Sequence, residues 1–382
     1  MTAPITLVGS GLAGYNLARE LRKLLPDAPL RVVTADAGDF YSKPMLSNAL
    51  TANKTAAQLA MKPVGKMVEE LKAEVLTHTR VTAIDRTAKV LHTAAGELPY
   101  SKLVLALGAD QLLPGLAGDA AAAVVSVNDL ADYAHFRELL EGKQRIVLLG
   151  AGLIGCEFAN DLAASGRQVD VVDLANWPLS RLLPEMAGQY LHEKLAGLGV
   201  RFHLGTSVQA VAGEAGGYRV SLANGKVLEA ELVLSAIGLR PRLQLASAAG
   251  LAVNRGIVVN RLLQTSDPDI YALGDCAEVD GQVLPFVLPI MQAARALAPT
   301  LAGTPTPVVY PAMPVVVKTP VCPTVVAPPA MGSVGAWQVE RSETGVKALF
   351  KGEQDQLLGF ALLGAATSER QALAPQLPAV LA

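Results

Sequence analysis

The chain has 382 residues, of which 51% are hydrophobic, 4% aromatic and 17% charged. That much aliphatic content with so little charge excludes an intrinsically disordered protein, and the length is that of two or three domains. The net charge of −2, from 32 Lys and Arg against 34 Asp and Glu, lends no support to nucleic-acid binding, which needs a basic surface.

Mean hydropathy is +0.35, but no run approaches the roughly 20 apolar residues of a membrane span. No basic segment precedes the first apolar run, so no signal peptide is expected. Cys156, Cys276 and Cys322 lie far apart and form no CxxC pair. Reduced thiols in a cytoplasmic protein are therefore expected. Neither the cysteines nor the five histidines show ligand spacing, so no metal site is expected.

In chain order, the first element is an aliphatic strand from Ile5. It runs into Gly9, Gly11 and Gly14 (GxGxxG) and then a helical pattern. The first Gly permits a tight turn, the second lets a pyrophosphate approach the backbone, and the third lets helix and strand pack closely. The helix N-terminus then offers free N–H groups to the phosphates. A second strand ends in Thr34, Ala35 and Asp36, and Asp36 lies 22 residues past the last Gly. A carboxylate there suits a ribose diol. LVLALGAD, from Leu103, reads as a buried strand ending at Gly108.

The whole pattern recurs 141 residues later. A strand from Arg145 leads to Gly150, Gly152 and Gly155, and VDVVD ends in Asp173, 18 residues past the last Gly. The interval is too long for a solenoid repeat and fits two copies of one domain type. ELVLSAIG, from Glu231, and TSDPDIYALGD, from Thr265, are further strands. A helix follows, with Pro289 in its first turn and Gly303 past its end. Eight prolines between Pro305 and Pro329 suggest extended connecting structure. AWQVERS, VKALFKG and QLLGFALLG then read as a three-stranded antiparallel meander, with a last helix near Thr367. Two dinucleotide sites in one chain point to electron transfer between them.

GSGLAG at Gly9, FYSKPMLS at Phe40, LVLALGA at Leu103, GAGLIGCEFA at Gly150, SAIGLRP at Ser235 and YALGD at Tyr271 together resemble the FAD-dependent pyridine nucleotide-disulfide oxidoreductase superfamily over nearly the full length. The stretch YPAMPVVVKTPVCPTVV at Tyr310 and the meander after it resemble the rubredoxin reductases within it. The resemblance implies an α/β fold with two doubly wound Rossmann-type domains and a small α+β C-terminal domain. An FAD domain would comprise residues 1–109 and 240–318, an inserted NAD(H) domain 110–239, and a C-terminal domain 319–382. The C-terminus is shorter than in the dimeric disulfide reductases, which favours a monomer.

The resemblance also implies residue roles. FAD would meet Gly9, Ser10, Gly11, Leu12, Ala13 and Gly14. It would also meet Thr34, Ala35, Asp36, Val81, Ala106, Gly108, Asp275, the Val287 backbone and Lys318. Val81 is also readable as a packing residue, and Lys318 as an exposed strand lysine. NAD(H) would meet Gly150, Gly152, Leu153, Ile154, Gly155, Asp173, Ile237 and Gly238. Asp173 favours NADH, because a carboxylate repels a 2′-phosphate. Lys43 and Glu157 would form an ion pair at the hydride-transfer face, whether kinetic or only structural. The implied activity passes a hydride from NADH to the flavin and single electrons on to the iron centre of rubredoxin, supplying an alkane hydroxylase-type system. The alternatives are a ferredoxin reductase of an oxygenase system and a non-catalytic FAD-binding redox sensor. FYSKPMLSNAL carries no cysteine, so no thiol relay is expected beside the flavin.

Overall fold

The computed structural model describes residues 3–382. Two parallel sheets lie at its centre. The first has five strands in the order Ile270–Ala272, Lys102–Leu105, Ile5–Val8, Leu30–Val33 and Glu74–Leu76. The second has four, in the order Val200–Leu204, Gln168–Asp173, Arg145–Leu149 and Leu232–Ser235. Helices cover both, which is why the inner strands read as unbroken Val, Ile and Leu. This is the expected α/β architecture of two dinucleotide-binding folds.

The chain leaves the first sheet and returns to it through a two-stranded antiparallel ribbon, Ala109–Gln111 against Leu239–Pro241. Each parallel sheet is accompanied by a three-stranded antiparallel meander, Val81–Pro99 and Val208–Ala230. The sequence reading did not single these out, because their strands are short and mix buried with exposed positions without a continuous apolar run.

Two expectations for the C-terminal region are corrected. The sheet there has five strands, not three. The Pro-rich stretch supplies Val315–Val317 and Thr324–Ala327, which pair with each other and then with Leu357–Gly364. Pro314, Pro320 and Pro323 flank these strands rather than interrupt them, so every ladder N–H survives. The expected last helix is a 3-10 turn, Ala365–Glu369, followed by only Arg370–Leu373. Thr367 donates its hydroxyl back to the Gly364 carbonyl at 2.7 Å instead of capping a helix.

The hydrophobic interior does not follow these units one by one. One core joins the first sheet to the helices Leu12–Leu24 and Val287–Leu301. A second joins the helices around the other parallel sheet to Leu46 and Leu50 and to Val326, Val346, Ala348, Ala361 and Leu363 of the C-terminal sheet. The far face of that sheet, with Val325, Phe360 and Leu362, closes a small core of its own over Leu373.

Candidate functional site

Each glycine fingerprint is shaped by contacts that a side chain would forbid. Gly9 has φ +119°, and a Cβ on it would lie 2.2 Å from the Ala106 carbonyl oxygen. A Cβ on Gly14 would lie 1.9 Å from the Gly9 oxygen, and one on Gly155 2.0 Å from the Gly150 oxygen. The middle glycines are different. Nothing lies within 4 Å of a Cβ placed on Gly11 or Gly152. Those two positions face open space at the starts of the helices Leu12–Leu24 and Leu153–Ala164, and no side chain caps either helix. Each first turn thus presents free N–H groups and the positive end of the helix dipole. The residues present fit two pyrophosphates.

The two acids sit at matching strand ends but are held differently. Asp36 accepts from the Ser10 hydroxyl at 3.1 Å, the Thr34 hydroxyl at 2.7 Å and the Gly38 N–H at 2.9 Å, all through Oδ1. Oδ2 is left for a diol. Asp173 uses both oxygens, accepting the Ala151 N–H at 2.6 Å and the Ala175 N–H at 2.7 Å. Each oxygen keeps a further lone pair. Ser10 and Thr34 are buried beneath Asp36, and Ala35 is exposed beside it.

The remaining expected residues gather around these loops. Leu12 and Ala13 open the first fingerprint helix, Leu153 and Ile154 the second. Ala106 lies against Gly9, and Gly108, at φ +71°, follows in the turn that leaves the first sheet. Gly274 packs its turn on Ala13, which sets Asp275 beside the first fingerprint. Val287 is the first residue of the helix Val287–Leu301, another start with no side-chain cap. Ile237 and Gly238 are exposed beyond the strand Leu232–Ser235 of the second sheet. Val81 opens its strand half-buried against the first core, the packing role left open above.

The Lys43–Glu157 pair is corrected. Glu157, 1% exposed, is paired with Lys318. Its Oε1 also accepts the Lys318 backbone N–H at 2.8 Å, and its Oε2 the Ser47 hydroxyl at 2.5 Å. The Lys318 ammonium donates to Ser47 at 3.2 Å as well. Because the Lys318 backbone already reaches this carboxylate, its side chain arrives in place, and Ser47 takes a further bond to the same Oε2. Lys43 turns instead to Asp275, at 3.8 Å. Burial lowers its ammonium pKa below the ordinary lysine value, and Asp275 only partly opposes this. Lys318 is therefore anion-paired, not an exposed strand lysine.

Three polar residues escaped the sequence reading: Ser47, Asn160 and Asp161. Asn160 accepts the Val321 N–H at 3.2 Å. Asp161, 3% exposed, accepts the Leu50 N–H at 2.7 Å and the Thr51 N–H at 3.0 Å. A signal was present in GLIGCEFAND. A largely apolar helix carries two carboxylates four residues apart, and buried charges are rare without partners.

All three cysteines are buried and free. Burial pushes the Cys276 thiol up to about 11 and that of Cys156 still higher. Neither is poised as a thiolate. Among the described residues, no group of three or more His, Cys, Asp or Glu could hold a metal ion. No helix among them is long and apolar enough to cross a membrane.

Comparison with known proteins agrees with this geometry. A family model described as pyridine nucleotide-disulphide oxidoreductase matches residues 3–298, and one described as rubredoxin binding C-terminal domain matches residues 307–377. The chain is 52% identical over 379 residues to a rubredoxin-NAD(+) reductase of Alcanivorax borkumensis, covering 99% of each. It is 48% identical over 376 residues to one of Acinetobacter baylyi, covering 96% of each. The solved ferredoxin reductase for the CYP199A2 system from Rhodopseudomonas palustris superposes with a TM-score of 0.89 at 27% identity, covering 99% of this chain and 96% of that one. With two open glycine fingerprints on two parallel sheets and a family match over most of its length, the chain belongs to the pyridine nucleotide-disulphide oxidoreductase family.

Proposed function

We propose that the protein is an FAD-dependent NADH:rubredoxin oxidoreductase. Residues 1–109 and 240–318 hold FAD, residues 110–239 hold NAD(H), and residues 319–382 form the acceptor-side domain. The observation that carries this reading is the pair of uncapped fingerprint helices, each beside an acid at a strand end, in a chain whose thiols are all buried. Electrons arriving from a nicotinamide have no disulfide to enter, so they leave to a partner protein.

Bound FAD accepts two electrons together and releases them one at a time. The chain's own residues bind and orient. Gly9 to Gly14 take the FAD pyrophosphate, with Ser10 and Thr34 fixing Asp36 on the adenosine ribose. Ala35, Val81, Ala106 and Gly108 line the same nucleotide. Asp275 would meet the ribityl hydroxyls, and the Val287 N–H would turn the positive end of its helix to the flavin. Gly150 to Gly155 take the NADH pyrophosphate, Asp173 selects against a 2′-phosphate, and Ile237 and Gly238 line the nicotinamide side. Lys43 and Glu157 stand at the reacting face, each with its own partner. Lys318, paired with Glu157, would contact the isoalloxazine.

The enzyme acts as a cytoplasmic monomer and feeds an alkane hydroxylase-type system. A second reading, a ferredoxin reductase, is favoured by the superposition on a solved one. Anaerobic mixing with NADH is expected to bleach the visible flavin band, and rubredoxin is then expected to be reduced faster than ferredoxin. The reverse order of acceptors selects the second reading. A flavin that NADH does not bleach leaves only a non-catalytic FAD-binding sensor.

A further inference from the structure

The helix Leu153–Ala164 starts at the nucleotide loop of the second sheet and carries Glu157 and Asp161 one turn apart. Residues four apart on a helix lie on one face. Both carboxylates reach the same foreign segment. Glu157 takes the Ser47 hydroxyl, and Asp161 takes the N–H groups of Leu50 and Thr51 and the Thr51 hydroxyl. That segment begins with the 3-10 turn Lys43–Asn48. Among the described residues, no lysine, arginine or histidine lies within ion-pair distance of Asp161, so its charge is met by donors of residues 50 and 51.

From this arrangement we infer that Asp161 is a positioning residue for the segment that carries Lys43 and Ser47. The inference rests on the proposed function for what that segment faces. Leu46, Ala49 and Leu50 seat the segment in the second core, but apolar packing is non-directional. The bonds from Ser47 to Glu157 and from the Leu50 and Thr51 N–H groups to Asp161 add the directional hold that fixes how Lys43 projects. Lys43 has only a 3.8 Å ion pair of its own, too loose to set its direction. The clamp also explains the chemistry of residue 161. Two adjacent backbone N–H groups and a hydroxyl form a small anion-binding nest, and a buried carboxylate is stable there because each bond to it is charge-assisted. A neutral amide cannot replace it. Asp161→Asn would set an NH2 group against the Leu50 N–H or against the Thr51 donors, two donors face to face.

The test uses the full-length holoenzyme. Asp161→Asn is expected to keep its FAD and its NADH dissociation constant, while the rate constant for flavin bleaching by NADH falls about tenfold or more. Thr51→Val, which removes one donor and keeps the backbone, is expected to lower it about threefold. Hydrogen exchange at Leu50 and Thr51 should quicken in both variant holoenzymes. The flavin midpoint potential should shift in the order wild type, Thr51→Val, Asp161→Asn. An unchanged rate constant and potential in either variant, with wild type bleaching normally, would overturn the positioning role and leave Asp161 as a packing device. If Asp161→Asn does not fold, Thr51→Val decides alone. A wild-type protein that NADH does not bleach would overturn the functional reading instead.

Discussion

At the scale of single residues, the deciding feature is which lysine meets which acid. The family resemblance implies that Lys43 and Glu157 share a face but does not rank Lys43 against Lys318, 161 residues beyond Glu157. The ranking comes from the backbone of Lys318, which docks on Glu157 before its side chain is considered. Removing one member of a buried pair strands the other's charge. Lys318→Met is therefore expected to lower stability by about 3 kcal/mol, less than a fully buried pair would lose because the lysine is 27% exposed. Glu157→Gln with Lys318→Met should recover most of that loss. Urea unfolding of the two variants checks it, and a double variant as unstable as the single one would count against a stranded charge.

At the scale of elements, the strand–glycine–helix turns separate folding from binding. Gly11→Ala meets open space, so the apoprotein is expected to keep its melting temperature. FAD affinity should fall about tenfold or more as the methyl occupies the pyrophosphate approach. Gly14→Ala meets the Gly9 carbonyl and is expected to destabilise the apoprotein itself. Calorimetry and flavin titration distinguish the two. The short turn Gly274–Cys276 carries a pH dependence of its own. The folded state holds the Cys276 thiol at about 11, above its ordinary value of 9.0. Its contribution is thus complete below pH 9 and is lost as pH rises from 9 through 11, by about 1.4 kcal/mol per unit. Cys276→Ala should flatten that part of the stability–pH curve, which urea midpoints at pH 8, 9, 10 and 10.5 would show.

These elements were legible because each fingerprint combines period, glycine spacing and a following acid. The antiparallel meanders were not, since their strands carry neither continuous apolar runs nor strict alternation. The two Pro-rich strands were missed for a different reason. The prolines mark the ends of Val315–Val317 and Thr324–Ala327, but a segment scan reads them as breakers of the whole stretch. The Asp161 clamp was hidden because its donors are backbone groups, which every sequence possesses.

At the scale of the molecule, the second core crosses from the helices of the second parallel sheet into the C-terminal sheet. Tyr190 reinforces the junction. Its hydroxyl donates to the Glu343 carbonyl at 3.3 Å, and Arg341 lies 5.4 Å from its ring centre while pairing with Glu193. These two regions are expected to melt in one transition, although they are distant in sequence. Differential scanning calorimetry with hydrogen exchange checks this. Loss of protection in residues 345–363 well before residues 153–197 would contradict a common core.

That shared interior limits how such an enzyme can be re-engineered toward another electron carrier. Val346, Ala348, Ala361 and Leu363 belong to the interior around Phe158 and Leu191 as much as to their own sheet. A C-terminal module transplanted from another reductase would arrive with the wrong inner face and leave the helices of the second parallel sheet uncovered. Changes of carrier are better sought by substituting outward positions in place, such as the exposed Gln338 and Glu340 of the edge strand, with the inner face left as it is.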